Sequence, residues 1–118
     1  MADQETQVVV VGGGPGGYAA AFHSADLGME TTLIDVRERP GGVCLFVGCI
    51  PSKTLLHVAD IIQDAREAGQ FGLDFAPPKI DIDKLRGFKD QVVYKLTSGL
   101  SELAKVRKVR YIRAKATF

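Results

Sequence analysis

Between a run of four valines, Val8 to Val11, and an alanine-rich stretch stand Gly12, Gly14 and Gly17, spaced G-x-G-x-x-G around Pro15 and Gly16. A strand that turns at once into a helix packed against it needs glycine three times. The first makes the tight turn, the second lets the backbone approach a pyrophosphate, and the third lets helix and strand pack closely. The pattern predicts a buried valine strand, a turn, and a helix that stops near Gly28. "ETTLID", Glu30 to Asp35, then supplies a second strand and completes a βαβ unit. Anionic charge is expected at the helix N-terminus.

Asp35 closes the second strand 21 residues after Gly14, where an acidic side chain accepts hydrogen bonds from ribose hydroxyls and disfavours a 2′-phosphate. The turn itself does not choose between NAD and FAD, which share the ADP half that it reads. A glycine-rich turn without a ligand is the plainer alternative.

Further along, "SKTLLHVADIIQDAREAG" predicts a helix with Leu55, Val58, Ile61, Ile62 and Ala65 on one face, ending before Gly69. "FGLDFAPP" reads as a connector. A long helix follows, with Asp81 as its cap and Leu85, Phe88, Val92, Leu96, Leu100 and Leu103 recurring every three or four residues. The end, "KVRYIRAKATF", reads as a third strand. The expected fold is α/β: an incomplete Rossmann-like domain over residues 1–118, with a parallel sheet in the order 3-2-1 and a long helical excursion. In that order the valine strand keeps an unpaired edge, which invites self-association.

Bulk properties set outer limits. The 118 residues are 46% apolar, enough for one compact domain, and a formal net charge of +1 gives no global field for nucleic acid or an acidic membrane. Six of the eleven residues from Lys105 to Lys115 are basic, but no interleaved aromatic platform accompanies them, so a solvated strand and helix end is expected. "MADQETQ" has neither a basic flank nor an apolar signal core, and Val8 to Val11 is far too short to span a bilayer. A cytoplasmic protein with no membrane or nucleic-acid partner is expected.

Its only two cysteines, Cys44 and Cys49, lie in "GGVCLFVGCIPSKTLL". On an undistorted helix, residues five apart differ by roughly 7.5 Å along the axis and about 140° around it, too far for a disulfide. The chain between Leu45 and Gly48 therefore has to bend, and Gly48 helps it do so. A strained disulfide at a helix entrance is easily reduced, and helix N-termini favour thiolates. These features suit a disulfide that cycles. Two unrelated buried thiols and a structural disulfide compete with that reading. A zinc site lacks ligands at a recognisable spacing from His23 or His57, and no metal is expected. Coupling a redox disulfide to a dinucleotide turn favours FAD, because a flavin can bond a thiolate and exchange hydride with a nicotinamide.

Through the glycine turn and C-x-x-x-x-C followed by I-P-S-K, the sequence resembles the disulfide-containing flavoprotein reductases. "CIPSKTLL" and "AAFHSADLG" make it most similar to the dihydrolipoamide dehydrogenases, with mercuric and glutathione reductases as alternatives. The resemblance implies that Cys44 exchanges with a dihydrolipoyl substrate, that Cys49 contacts the flavin and that Lys53 lies near it. It further implies that Gly12, Gly14, Pro15, Gly16 and Gly17 hold the pyrophosphate and Asp35 the ribose. Gly42 and Val43 would approach FAD by backbone, and Ala116 would do so at the adenine end. Phe46 departs from the family's usual Asn, and Ala114 and Ala116 replace a more glycine-rich stretch.

Family members are several times longer. The resemblance therefore implies an N-terminal fragment of a homodimeric enzyme that uses NAD and serves 2-oxo acid dehydrogenase complexes. Its catalytic His, oriented by a Glu, would come from an interface domain with no counterpart here, so neither His23 nor His57 is given that role. The fragment alone is expected to be inactive. A stand-alone redox-sensing nucleotide-binding module, or a structural fragment that binds no nucleotide, are the readings from other classes.

Overall fold

The computed structural model describes residues 3–118. Strand β1 (Val8–Val11) leads through the glycine turn into α1 (Pro15–Asp26), and β2 (Thr31–Asp35) follows. The chain then leaves the sheet through α2 (Gly42–Val47), α3 (Cys49–Glu67), a short 3-10 turn and α4 (Ile82–Val106), returning as β3 (Arg110–Arg113). All pairings are parallel, with β2 between β1 and β3, the expected 3-2-1 order.

Local chemistry accounts for the ends of these elements. Pro15 opens α1, where its missing N–H costs nothing, and Gly28 ends the turn after it at φ +86°. The Asp81 carboxylate caps α4 by accepting from the Lys84 N–H at 2.9 Å, as the sequence predicts. At the other end of α4, Lys108 N–H reaches the Lys105 carbonyl and Val109 N–H the Ala104 carbonyl. That is a Schellman motif with Lys108 in the left-handed region, at φ 59°.

Register places Val10, Leu33 and Tyr111 side by side on one face of the sheet. There they meet Ala21 and Phe22 of α1 and Ala104 of α4, forming the core. Both crossovers in a 3-2-1 order run the same way along the sheet, and right-handed connections then place α1 and α4 on the same face. Among the described residues, no helix covers the opposite face. Val9 and Val11 are consequently 52% and 51% exposed, correcting the expectation of a fully buried valine strand.

The excursion corrects a second expectation. Its helices pair with each other and extend the molecule to 68 Å by 27 Å by 23 Å. The radius of gyration is 20.0 Å, against about 13.5 Å for a compact domain of this length. Of the predicted apolar face of α3, Val58, Ile62 and Ala65 are half-buried, whereas Leu55 and Ile61 are exposed. Phe88, Leu96 and Leu103 of α4 are exposed too. Two helices alone cannot cover both apolar stripes. The run Gly42–Phe71 is long and apolar enough to cross a membrane, by length and composition only; neither the N-terminus nor the valine run carries that feature.

Candidate functional site

The glycine turn is built for backbone exposure. Gly12 sits at φ +101°, and its N–H continues the β1–β2 ladder to the Ile34 carbonyl at 2.8 Å. Gly14 is the N-cap of α1 and carries no side chain to satisfy the free N–H groups of the first turn. A methyl group on Gly16 would meet nothing within 4 Å, so the space above the helix N-terminus is open. A methyl on Gly17 would overlap the Gly12 carbonyl oxygen and stand 2.8 Å from its carbon. Gly17 is thus required by helix–strand packing, while Gly16 and the uncapped helix start leave donors facing outward for an anion.

Asp35 sits at the C-terminal end of β2 and fastens this turn. Its Oδ2 accepts from the Gly13 N–H and its Oδ1 from the Arg37 N–H, at 2.5 and 2.8 Å. A carboxylate offers about four lone-pair directions, so acceptor capacity for ribose hydroxyls remains. Beside it lies a cleft of roughly 260 Å³ lined by Val11, Gly12, Asp35, Val36, Lys115 and Ala116, among others. The cleft lies at the carboxyl ends of the strands, where open parallel sheets bind ligands. It brings together Gly12, Asp35 and Ala116, three residues picked from widely separated stretches of sequence. Val36 and Lys115 line the same cleft and were missed; neither belongs to a motif, and only strand pairing brings Lys115 there. Tyr111, on the neighbouring strand, donates its hydroxyl to the Arg37 carbonyl at 2.9 Å. Burial, and then the Asp35 charge, push its pKa up to about 12.

The second half of the site abuts the first. Gly41 N–H donates to the Gly13 carbonyl at 2.7 Å. Gly42, at φ +62°, lies so close to the turn that a Cβ there would stand 2.5 Å from the Gly14 Cα. Gly42 was expected to approach a cofactor; the structure gives it a prior reason to be glycine, backbone contact between α2 and the turn. Val43 is 66% exposed beside it.

From there α2 runs to Val47 and breaks at Gly48, whose φ of −121° and ψ of −107° are far from helical. This is the bend that the cysteine spacing demands. A Cβ on Gly48 would stand 3.0 Å from the Val43 carbonyl oxygen and 3.4 Å from the Cys44 Cα, so the break packs directly under Cys44. Helix α3 restarts at Cys49, and Pro51 fits in its first turn because no intrahelical donor is needed there. The helix begins three residues earlier than "SKTLL" predicts, and this places Cys49 at its N-terminus.

Both thiols are free, Cys44 half-buried and Cys49 exposed. Cys44 is raised above the ordinary thiol range, first by its hydrogen bond with Cys49, then by burial and by repulsion between the two thiolates. A hydrogen bond from the Cys49 backbone, and after it the nearby Lys53 charge, oppose the rise. The arrangement is a pair of free thiols close enough to interact across the Gly48 break. Lys53 is exposed one turn beyond Cys49. His23 and His57 are exposed on α1 and α3. Among the described residues, no group of three or more His, Cys, Asp or Glu side chains is placed to hold a metal ion.

Residues 6–118 match the family described as pyridine nucleotide-disulphide oxidoreductase. The chain is 54% identical over 114 residues to a dihydrolipoyl dehydrogenase of Buchnera aphidicola subsp. Schizaphis graminum, covering 97% of this chain and 24% of that protein. Identity and both coverages are the same for a dihydrolipoyl dehydrogenase of Haemophilus influenzae. A leghemoglobin reductase of Glycine max is 44% identical over 110 residues, 92% of this chain and 21% of that one. The chain therefore spans about a quarter of the length of the curated relatives it matches.

Proposed function

Since the chain belongs to the pyridine nucleotide-disulphide oxidoreductase family, we propose that it is the FAD-binding, dithiol-bearing N-terminal portion of a dihydrolipoyl dehydrogenase. The observation that carries this reading is the direct backbone contact between Gly42 and Gly14, which sets the Cys44–Cys49 pair beside an uncapped, glycine-lined helix N-terminus. The open space over Gly16 and the cleft joining Asp35 to Ala116 fit the pyrophosphate and adenosine of a dinucleotide. When bound, FAD supplies a two-electron acceptor that passes hydride to a nicotinamide.

The chain's own residues account for the thiol chemistry. A dihydrolipoyl thiolate attacks the Cys44 sulfur of a Cys44–Cys49 disulfide, and Cys49 leaves as thiolate. The second dihydrolipoyl thiol then attacks the lipoyl sulfur of the mixed disulfide, closes the lipoyl ring and releases Cys44. Two electrons and two protons pass from the dihydrolipoyl group to the cysteine pair. Cys44, raised first by its hydrogen bond to Cys49, holds a proton above the ordinary thiol range. Lys53 brings positive charge to the pair. By the same reading, the full-length protein is a cytoplasmic homodimer with NAD as acceptor, and it works with 2-oxo acid dehydrogenase complexes.

The test is a visible absorption spectrum after incubation with FAD and removal of free ligand. A retained flavin band, with FAD bound more tightly than NAD, is expected. A colourless protein that binds only NAD would instead support a stand-alone redox-sensing nucleotide module. The 118-residue chain is not expected to reduce NAD⁺ with dihydrolipoamide by itself.

A further inference from the structure

Helix α2 spans only Gly42–Val47, has no side-chain cap and contains no charged residue. A helix of six residues is not stable alone, so its position is imposed from outside. One restraint is the backbone contact of Gly42 with Gly14. The other is on the far side of the helix from Cys44, where Phe46 projects toward two guanidinium groups. Arg37 lies 4.9 Å from the Phe46 ring centroid and Arg39 6.0 Å.

Each arginine is held in turn. Arg39 Nε donates to Thr97 Oγ1 at 3.1 Å, its guanidinium pairs with Glu38 at 3.0 Å, and it lies 4.7 Å from the Tyr94 ring centroid. Thr97 is completely buried in α4, and its own hydroxyl donates to the Val93 carbonyl at 2.9 Å. Arg37 is fixed through its backbone, the N–H on Asp35 and the carbonyl on Tyr111. Gly41 closes the cluster, since a Cβ there would come within 3.1 Å of Thr97 and 3.2 Å of Phe46. The short cysteine helix is thereby tied to the ends of β2 and β3 and to the middle of α4.

We propose that Phe46 and Arg39 are positioning residues for the dithiol–disulfide step, holding α2 so that Cys44 meets Cys49 across the Gly48 break. The proposal rests on the reading of Cys44 and Cys49 as a redox pair. A guanidinium over an aromatic face attracts through the ring quadrupole, which an aliphatic side chain of similar bulk lacks. Removing that attraction lets α2 wander and lowers the effective concentration of one thiol at the other.

The test is the equilibrium of the full chain with reduced and oxidised dithiothreitol. In it the protein dithiol gives two electrons and two protons to the dithiothreitol disulfide and becomes a disulfide itself. Alkylation and mass spectrometry read the fraction oxidised. Phe46→Leu and Arg39→Met are each expected to shift the equilibrium about fivefold toward the dithiol, and Phe46→Tyr to stay within about twofold of the parent. A purely structural role would change the urea midpoint and leave this equilibrium unmoved under folded conditions. No shift in either Phe46→Leu or Arg39→Met overturns the proposal, as does a Phe46→Tyr shift as large as that of Phe46→Leu. If the parent chain never forms a Cys44–Cys49 disulfide, the redox-pair reading fails and the proposal goes with it; if it forms one that the variants do not move, only the positioning role fails.

Discussion

Gly16 and Gly17 are adjacent, yet replacing each by alanine has opposite expected consequences. At Gly17 the new methyl would overlap the Gly12 carbonyl oxygen and stand 2.8 Å from its carbon, where ordinary contact begins near 3.4 Å. Both obstructing atoms are backbone, so no side chain can swing aside, and α1 has to lift off β1. Overpacking typically costs 1–3 kcal/mol, and a backbone obstruction belongs at the top, so about 3 kcal/mol is expected. That is a large share of the roughly 5–15 kcal/mol that holds a domain together. At Gly16 the methyl meets nothing within 4 Å, and alanine is a better helix former by about 0.5–1 kcal/mol. Gly16→Ala should therefore keep or raise the urea midpoint while weakening FAD binding, because the methyl fills the space that the pyrophosphate needs. Urea unfolding followed by circular dichroism, paired with flavin retention, separates the two. A Gly17→Ala chain as stable as the parent refutes the packing argument, and a Gly16→Ala chain that retains flavin as well as the parent refutes the placement of the anion.

Four other outcomes are expected. Lys108→Gly removes a left-handed penalty of roughly 1–2 kcal/mol and restores about 0.5–1 kcal/mol of unfolded-chain entropy, so it should stabilise by roughly 0.5 kcal/mol in the same urea assay; destabilisation would contradict the Schellman ending of α4. In an ultraviolet pH titration, Tyr111 should ionise near 12 rather than near its ordinary value of 10.0. Because its folded pKa is raised, the stability it contributes is complete below pH 10.0 and is lost as pH rises through about 12. Iodoacetamide should modify the exposed Cys49 before the half-buried, proton-retaining Cys44, and FAD should slow the reaction at Cys49; peptide mapping reads both, and preferential labelling of Cys44 in the free chain would contradict the thiol arrangement. Finally, the N–H groups of Val8 and Gly12 point into the sheet, so with period-two alternation those of Val9 and Val11 face the free edge. They should exchange with deuterium much faster than that of Val10, and equal protection would show another strand, such as one from a second copy, paired there.

Much of this molecule is legible without coordinates because its constraints are local. A strand that turns in three residues into a helix needs glycine at fixed offsets, and two cysteines five apart need a break between them. The strand order is the doubly wound one that the glycine turn announces, and the Asp81 cap and the Gly28 stop are matters of backbone donors and torsions. The same local logic overreaches where burial is concerned. Alternating or periodic apolar residues show which face wants cover but not whether anything covers it, and so Val9, Val11, Leu55 and Phe88 stand exposed.

What the sequence by itself determined is the type of every element except the short α2 and the 3-10 turn, the parallel order, and the pairing of a dinucleotide turn with a thiol pair, since torsions and short-range sterics act between neighbours in the chain. Only the tertiary structure decided that Gly42 is glycine because Gly14 touches it, that Lys115 and Ala116 share a cleft with Asp35, and that Phe46 meets both Arg37 and Arg39. Those contacts join residues brought together by strand pairing and by the return of α4, and a distance of that kind leaves no period or spacing in the chain to read.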